Sequence, residues 1–336
     1  MNFILTKKAH RTYGLFLIFF ILIGCIFSSI ILGITDTSWH TLIDAYTNFN
    51  GSNEHIIIKN LRVPRALIAT VVGASLAISG VLIQAITRNP LSSPSILGIN
   101  AGAAFAVVFS SAFLSVSSLS QYIWIAFIGA GIGSLSVYLI STIGNEDLSS
   151  LKIVLSGAAI TALFSSFTQS ILALNEKELD EVLFWLTGSV QGRNLEMLAS
   201  ILPYTLIGII LAFILSKPLN ILSLGENMAK GLGLNVFAVK ISTLIVVILL
   251  AGSSVAISGP IGFIGIIVPH IARFFVGFDY RWNLLYSAFL GSILLLLADI
   301  ISRYIIAPME VPVGAMTAII GTPFFIFIAR KGLKNE

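Results

Sequence analysis

The sequence predicts an all-α, polytopic membrane protein: a helix bundle with about ten transmembrane crossings. Three observations carry that reading. Of the 336 residues, 57% are hydrophobic and only 10% are charged, where soluble domains carry roughly a quarter charged residues. The apolar residues gather in runs of about 20, enough to cross ~30 Å of hydrocarbon. The 19 Lys and Arg stand at the ends of those runs, not in one stripe, so the net charge of +4 belongs to loops and no nucleic-acid partner is expected.

The first run, at about 13–33, follows Lys7, Lys8 and Arg11 and holds the one cysteine, Cys25. Leu22-Ile23-Gly24-Cys25 resembles a lipoprotein cleavage site. The apolar character continues through Ile30, Ile31 and Leu32, however, so this segment is expected to remain as the first span. One cysteine excludes an internal disulfide and a Cys-based metal cluster. The second run, at about 66–86, has Arg62-Val63-Pro64-Arg65 at one end and a polar turn with Pro90 and Pro94 at the other, as a crossing between two differently used surfaces would. Further runs lie at about 96–115, 122–143, 152–174, 197–216, 237–257, 260–277, 283–303 and 312–330.

Ten crossings place both termini on one side. With the N-terminus inside, thirteen Lys and Arg fall in inner segments and six in outer ones, which predicts cytoplasmic N- and C-termini. Connections are short, so residues 1–336 form a single transmembrane domain. The longest outer connections, about 34–61 and 175–196, carry Trp39 and Trp185 and read as surface-lying segments at headgroup level.

The inner loop 217–236 differs in kind. Pro218 is expected to break the preceding helix, and Ser223 to Gly233 to form a helix of about two turns closed by Gly231 or Gly233. Such an element outside the bilayer suits docking to a cytosolic partner. Glycine pairs Gly98 with Gly102 and Gly129 with Gly133, and the series Gly259, Gly262, Gly265, predict close helix packing. No Gly-Lys-Ser/Thr follows them, so they form no phosphate loop.

Catalytic constellations are missing from the sequence. The four histidines are widely separated, no metal site or cofactor is expected, and His270 reads as a helix-end polar contact. Asp299 and Arg303, spaced i to i+4, share a helix face. They read either as a satisfied ion pair or as an acid orienting Arg303 toward an external acidic partner. Glu310 is placed to cap the last span. Acidic residues otherwise cluster in loops, at Glu146, Asp147, Glu176, Glu178, Asp180 and Glu181, which gives an ion-coupled secondary transporter, the rival class, little to work with.

Several motifs run along the chain: Arg62-Val63-Pro64-Arg65, the Gly73 to Gly80 span ending in Gln84, Arg88-Asn89-Pro90-Leu91, Pro94 to Gly98 and Leu224 to Gly233. Gly259 to Gly265, Val268 to Arg273, Asp299 to Arg303, Glu310 to Gly314 and Gly321 to Phe325 follow. Together, and in this order, they resemble the FecCD family, the membrane permease subunits of ABC importers for iron-siderophores, haem and vitamin B12. Ser92 departs from the family's usual alanine.

The resemblance implies a ten-helix permease subunit, not itself an enzyme, in a bacterial cell membrane. It implies pairing with a second permease subunit, self or paralogue, around a path lined by the fifth and tenth spans. A cytosolic ABC ATPase dimer and an extracellular or periplasmic substrate-binding protein complete the assembly, and the substrate is an iron-siderophore, with haem or vitamin B12 as the alternatives. Residue by residue, Arg62, Arg65 and Arg303 match arginines that dock the binding protein. Leu224, Gly225, Glu226, Ala229, Gly231 and Gly233 match the loop that couples to the ATPase. Asn89 and Leu91, with Ser150 and Leu151, match positions of a cytoplasmic gate.

Overall fold

The computed structural model describes residues 4–5, 7–33, 35, 37–143, 150–174 and 180–332. Among these the chain is helical, with no strand beyond one antiparallel bridge between Ile306 and Met309. Helix α1 (Lys8–Ile31) is followed by the short α2 (Trp39–Thr47). Helix α3 (Asn53–Ile57) runs through a π-helical turn at Ile58–Arg62 into α4 (Val63–Thr87), making one 35-residue helix. A 3₁₀ turn at Pro94–Leu97 leads to α5 (Ile99–Leu114), α6 (Leu119–Ser141), α7 (Ser150–Leu174) and the short α8 (Asp180–Leu186). Then come α9 (Leu195–Leu222), α10 (Glu226–Gly231) and α11 (Val236–Val247), which continues through a second π-helical turn, Ile248–Gly252, into α12 (Ser253–Ser258). The chain closes with α13 (Ile264–Val276), α14 (Tyr280–Ser302) and α15 (Val313–Gly332).

Local chemistry sets many of these boundaries. Ser38 and Thr41 form a reciprocal capping box on α2, and the side chains of Ser52, Asn194, Asn235 and Asp279 accept from first-turn N–H groups of α3, α9, α11 and α14. Each satisfies a donor that the helix itself cannot.

Among the described residues seven helices are long and apolar enough to cross a membrane: α1, the α3–α4 helix, α6, α7, α9, the α11–α12 helix and α14. The other three predicted spans are shorter apolar helices, Ile99–Leu114, Ile264–Val276 and Val313–Ile328. By length and apolar composition seven of the ten expected spans are shown, and the remaining three coincide with the shorter apolar helices. A 13-residue helix such as α13 reaches about 20 Å, short of the ~30 Å core. The cause is local: Pro94 and Gly98 remove the first turn of one run, and the unwound stretch Gly259–Phe263 removes the first turn of another. Pro218, expected to break α9, instead lies inside it, and the helix runs on to Leu222. Proline is tolerated within spans where neighbours re-satisfy the freed carbonyl.

The α3–α4 helix is the most buried of the seven, and α4 packs most extensively against α14 and also against α13, α9 and α11. Glycine permits this closeness: a Cβ added at Gly73 would lie 2.4 Å from the carbonyl oxygen of Gly291, and one at Gly80 2.2 Å from that of Gly265. Gly98 and Gly102 meet Gly129 and Gly133 in the same way between α5 and α6. Gly262 has open space around it and takes no part in this packing.

The two connections expected at the outer surface are unlike one another. Trp39 at the start of α2 is exposed, but Trp185 of α8 is fully buried, and its carbonyl backs onto Gly259. Trp185 is thus packed into the bundle where α12 ends and does not lie on the surface.

Candidate functional site

Near the N-terminal end of α4, four charged side chains form one network. Arg65 donates through Nε and Nη2 to Asp299, at 2.7–3.1 Å, and through Nη1 to Glu310 Oε2 at 2.7 Å. Asp299 also accepts from Arg303, one turn on in α14. Two guanidiniums thus meet two carboxylates, and Asp299 is completely buried. Burying charge is tolerable only when it is paired and hydrogen-bonded in this way.

Arg62 and Arg303 are only 6% and 2% exposed. Arg62 donates to the carbonyls of Ile30, Ile31 and Thr35 and to the Thr37 hydroxyl, so it holds the chain that leaves α1. Arg303 donates to the carbonyls of Ser29 and Leu32 and to the Ser29 hydroxyl. The three arginines singled out in the sequence therefore do come together. They line a cleft of about 450 Å³ with Glu310, Gln191 and Gly192. Glu310, expected to cap the last helix, gives its Oε2 to Arg65 because the stretch before α15 brings it over the end of α4.

Arg193, read in the sequence only as an outer loop charge, is buried beside this cleft. Its Nε donates to the Ile257 carbonyl at 2.7 Å, and burial lowers its pKa to about 10.

At the other end of α4, Arg88 adopts a left-handed conformation that stops the helix. Asn89 Oδ1 accepts from the Leu91 N–H at 2.9 Å, closing an Asx-type turn. Ser92 Oγ lies 2.9 Å from Thr87 Oγ1, so the hydroxyl that distinguishes Ser92 from alanine is hydrogen-bonded. The 3₁₀ turn that follows packs against α7. That places the Asn89–Leu91 turn and the start of α7 toward one end of the molecule. Leu151 there is exposed; Ser150 opens α7, and its side chain lies outside the described residues. Glu146, Asp147, Glu176 and Glu178, and the side chains of Asp180 and Glu181, lie outside them too.

Gln84 is the polar residue whose role the sequence left blank. Its amide nitrogen donates to the carbonyls of Ser92 and Gly265, and its oxygen accepts from Arg273 at 2.5 Å. It ties the turn after α4 to the start of α13. A glutamine in an apolar run was the available signal, but two of its partners, Gly265 and Arg273, lie 181 and 189 residues away in sequence. His270 of α13 packs edge-on against Phe324 of α15.

Helix α10 projects from the end of α9. Gly225 precedes it with φ +121°, and Gly233 follows with φ +81°. The Gly233 N–H bonds to the Lys230 carbonyl and the Leu234 N–H to the Ala229 carbonyl, a Schellman closure. Gly231 is the last helical residue, so the chain is closed by Gly233. Ala229 is buried, while Leu224, Met228 and Leu232 are exposed. Glu226 is paired with Lys240 of α11 at 2.9 Å, and Lys240 is itself buried. Among the described residues no group of His, Cys, Asp and Glu is arranged to hold a metal ion.

These features define a class: a multi-pass helical membrane protein with polar machinery at both ends of a central helix and a small projecting helix outside the spans. The chain belongs to the FecCD transport family, whose sequence profile matches residues 21–331. It is 53% identical, over 98% of both chains, to a protein of Bacillus subtilis (strain 168) described as a probable siderophore transport system permease protein, YfiZ. It is 48% identical to the Fe(3+)-citrate import system permease protein YfmD of the same organism, over 84% of each chain. A solved metal-chelate type ABC transporter in an inward-facing conformation superposes with a TM-score of 0.84 at 30% identity, covering 95% of this chain and 99% of that one.

Proposed function

We propose that this chain is the permease subunit of an ATP-driven ABC importer that moves an iron-siderophore delivered by an external binding protein. It crosses the membrane ten times with both termini cytoplasmic, α5, α13 and α15 completing the seven long spans. It works beside a second permease subunit, self or paralogue, and a cytosolic ATPase dimer couples through α10. Arg62, Arg65 and Arg303 form the outer docking face, and Asn89, Leu91, Ser150 and Leu151 contribute to the inner gate.

The observation that carries the reading is the exposed face of α7. Ser165, Ser166, Gln169 and Ser170 are all exposed on a helix long enough to span. A polar stripe facing lipid is unfavourable, so it faces protein or water. A second subunit across a hydrated path supplies both. Wide, weakly binding walls suit a bulky chelate that must leave quickly. The exposed apolar residues of α10, outside the spans, suit the cleft of a soluble partner.

The test is reconstitution in vesicles with the ATPase and binding protein, reading uptake of a radiolabelled ferric siderophore. Uptake should require ATP inside the vesicle. In a Cys25→Ser background, Gln169→Cys should cross-link to its counterpart on the second permease. ATP-independent uptake, or failure to cross-link in an active assembly, overturns the reading.

A further inference from the structure

The outer cleft separates its arginines by how far each is committed. Arg62 and Arg303 are turned inward onto the end of α1 and are nearly inaccessible. Arg65 keeps more of itself at the surface, with a side chain 12% exposed, and its two acidic partners differ. Asp299 is 0% exposed and fixed by both Arg65 and Arg303. Glu310 is 18% exposed and holds Arg65 through a single hydrogen bond. It also stands on the stretch between α14 and α15, just before Val313.

An incoming carboxylate therefore has one seat in this network that it can reach, and that seat is occupied. Two carboxylates cannot share one guanidinium Nη1 closely without like-charge repulsion. We propose that Glu310 is an internal placeholder on Arg65, displaced by a carboxylate of the docking protein, and that its release loosens the stretch leading into α15. This rests on the docking role proposed above. The stretch is held in two further places, by the Val311 N–H to the Ser302 carbonyl at 3.1 Å and the Gly314 N–H to the Gly188 carbonyl at 2.9 Å. Docking charge on Arg65 is thus linked by one short segment to the start of α15.

The probe is the binding protein that supports ATP-driven uptake in the vesicle assay, titrated onto the permease in nanodiscs. Glu310→Gln keeps size and shape while removing the competing charge, and the site is accessible enough to tolerate it. Docking should tighten by about tenfold, since a charge-assisted hydrogen bond no longer has to be broken. Arg65→Gln should weaken docking. Backbone hydrogen exchange over residues 304–312 should rise on docking to the parent protein and be raised already in Glu310→Gln. If Arg65→Gln leaves docking unchanged, the docking role itself fails. If Arg65→Gln weakens docking but Glu310→Gln leaves it equal or weaker, or exchange over 304–312 does not respond, the placeholder is refuted and docking stands.

Discussion

Replacing Asp299 by asparagine tests whether the outer network is as desolvated as its geometry implies. Asparagine has the shape of aspartate, so the cavity term is negligible and the change is one of charge. Asp299 accepts three hydrogen bonds from Arg65 and one from Arg303. Without its charge, Glu310 alone faces two guanidiniums. Opposite unit charges about 4 Å apart interact by about 4 kcal/mol at an effective dielectric of about 20. Relief of the aspartate's own desolvation offsets part of what is lost. Removing one partner of a buried pair costs about 3–5 kcal/mol net, because the stranded charge stays buried. With an unfolding entropy of about 2.1 cal/mol/K per residue, 336 residues give about 0.7 kcal/mol/K, so Tm should fall by about 4–7 °C. The half-buried Cys25 is the one thiol and reports unfolding through a thiol-reactive dye. Adding Arg303→Met to Asp299→Asn removes the excess positive charge and should recover part of the loss, as a double-mutant cycle. A Tm within about 1 °C of the parent, or no recovery in the double variant, would show that water already screens the network.

Two further outcomes follow from packing and from α10. Gly80→Leu should abolish monodisperse folded protein on gel filtration, because even its Cβ would lie 2.2 Å from the Gly265 carbonyl, whereas Gly131→Ala, with open space around it, should leave the profile unchanged. Lys240→Met keeps an apolar stem but strips Glu226 of its partner, so ATP hydrolysed per chelate transported should rise while Tm falls little. Met228→Asp on the exposed face should instead lower ATPase capture in a pull-down; equal capture would move the coupling contact elsewhere.

Much of this architecture could be read from residue types. Apolar runs mark every apolar helix, and the glycine pairs of α5 and α6 mark a real close approach. The Gly225 and Gly233 limits of α10 are local signals, because positive φ is written into residue type. What escaped the sequence is non-local. Gln84 finds Arg273 and Gly265 across about 180 residues, and Glu310 leaves its expected cap position because Arg65, 245 residues earlier, reaches it first. Trp185 looked like an interfacial anchor because tryptophan serves that role in spans generally; only the fold shows it fully buried, with its carbonyl against Gly259. Lys240 counted as a loop cation, yet it is buried against α10.

The two ends of α4 are joined to the same part of the chain. Arg65 reaches Asp299 of α14 and Glu310 just beyond it, and Gln84 reaches Gly265 and Arg273 of α13. These two α4 residues stand nineteen positions apart, about 28 Å along a helix rising ~1.5 Å per residue, which is close to the thickness of the hydrocarbon core. Between them Gly73 and Gly80 are backed directly against Gly291 of α14 and Gly265 of α13. Glycine in a span is a point of bending only where space is left beside it, and here none is. Helices α4, α13 and α14 therefore form one block, clamped by charge at the N-terminal end of α4, by an amide at its C-terminal end and by backbone contact between. Helix α7 packs on α4 far more sparingly, and α15 touches α13 and α14 less than α4 touches α14. Relative motion costs least where contacts are fewest. Helix α7 packs instead on α5 and α6, so a displacement of α7 relative to α4 is resisted by few contacts, whereas one within the α4 block is resisted by many.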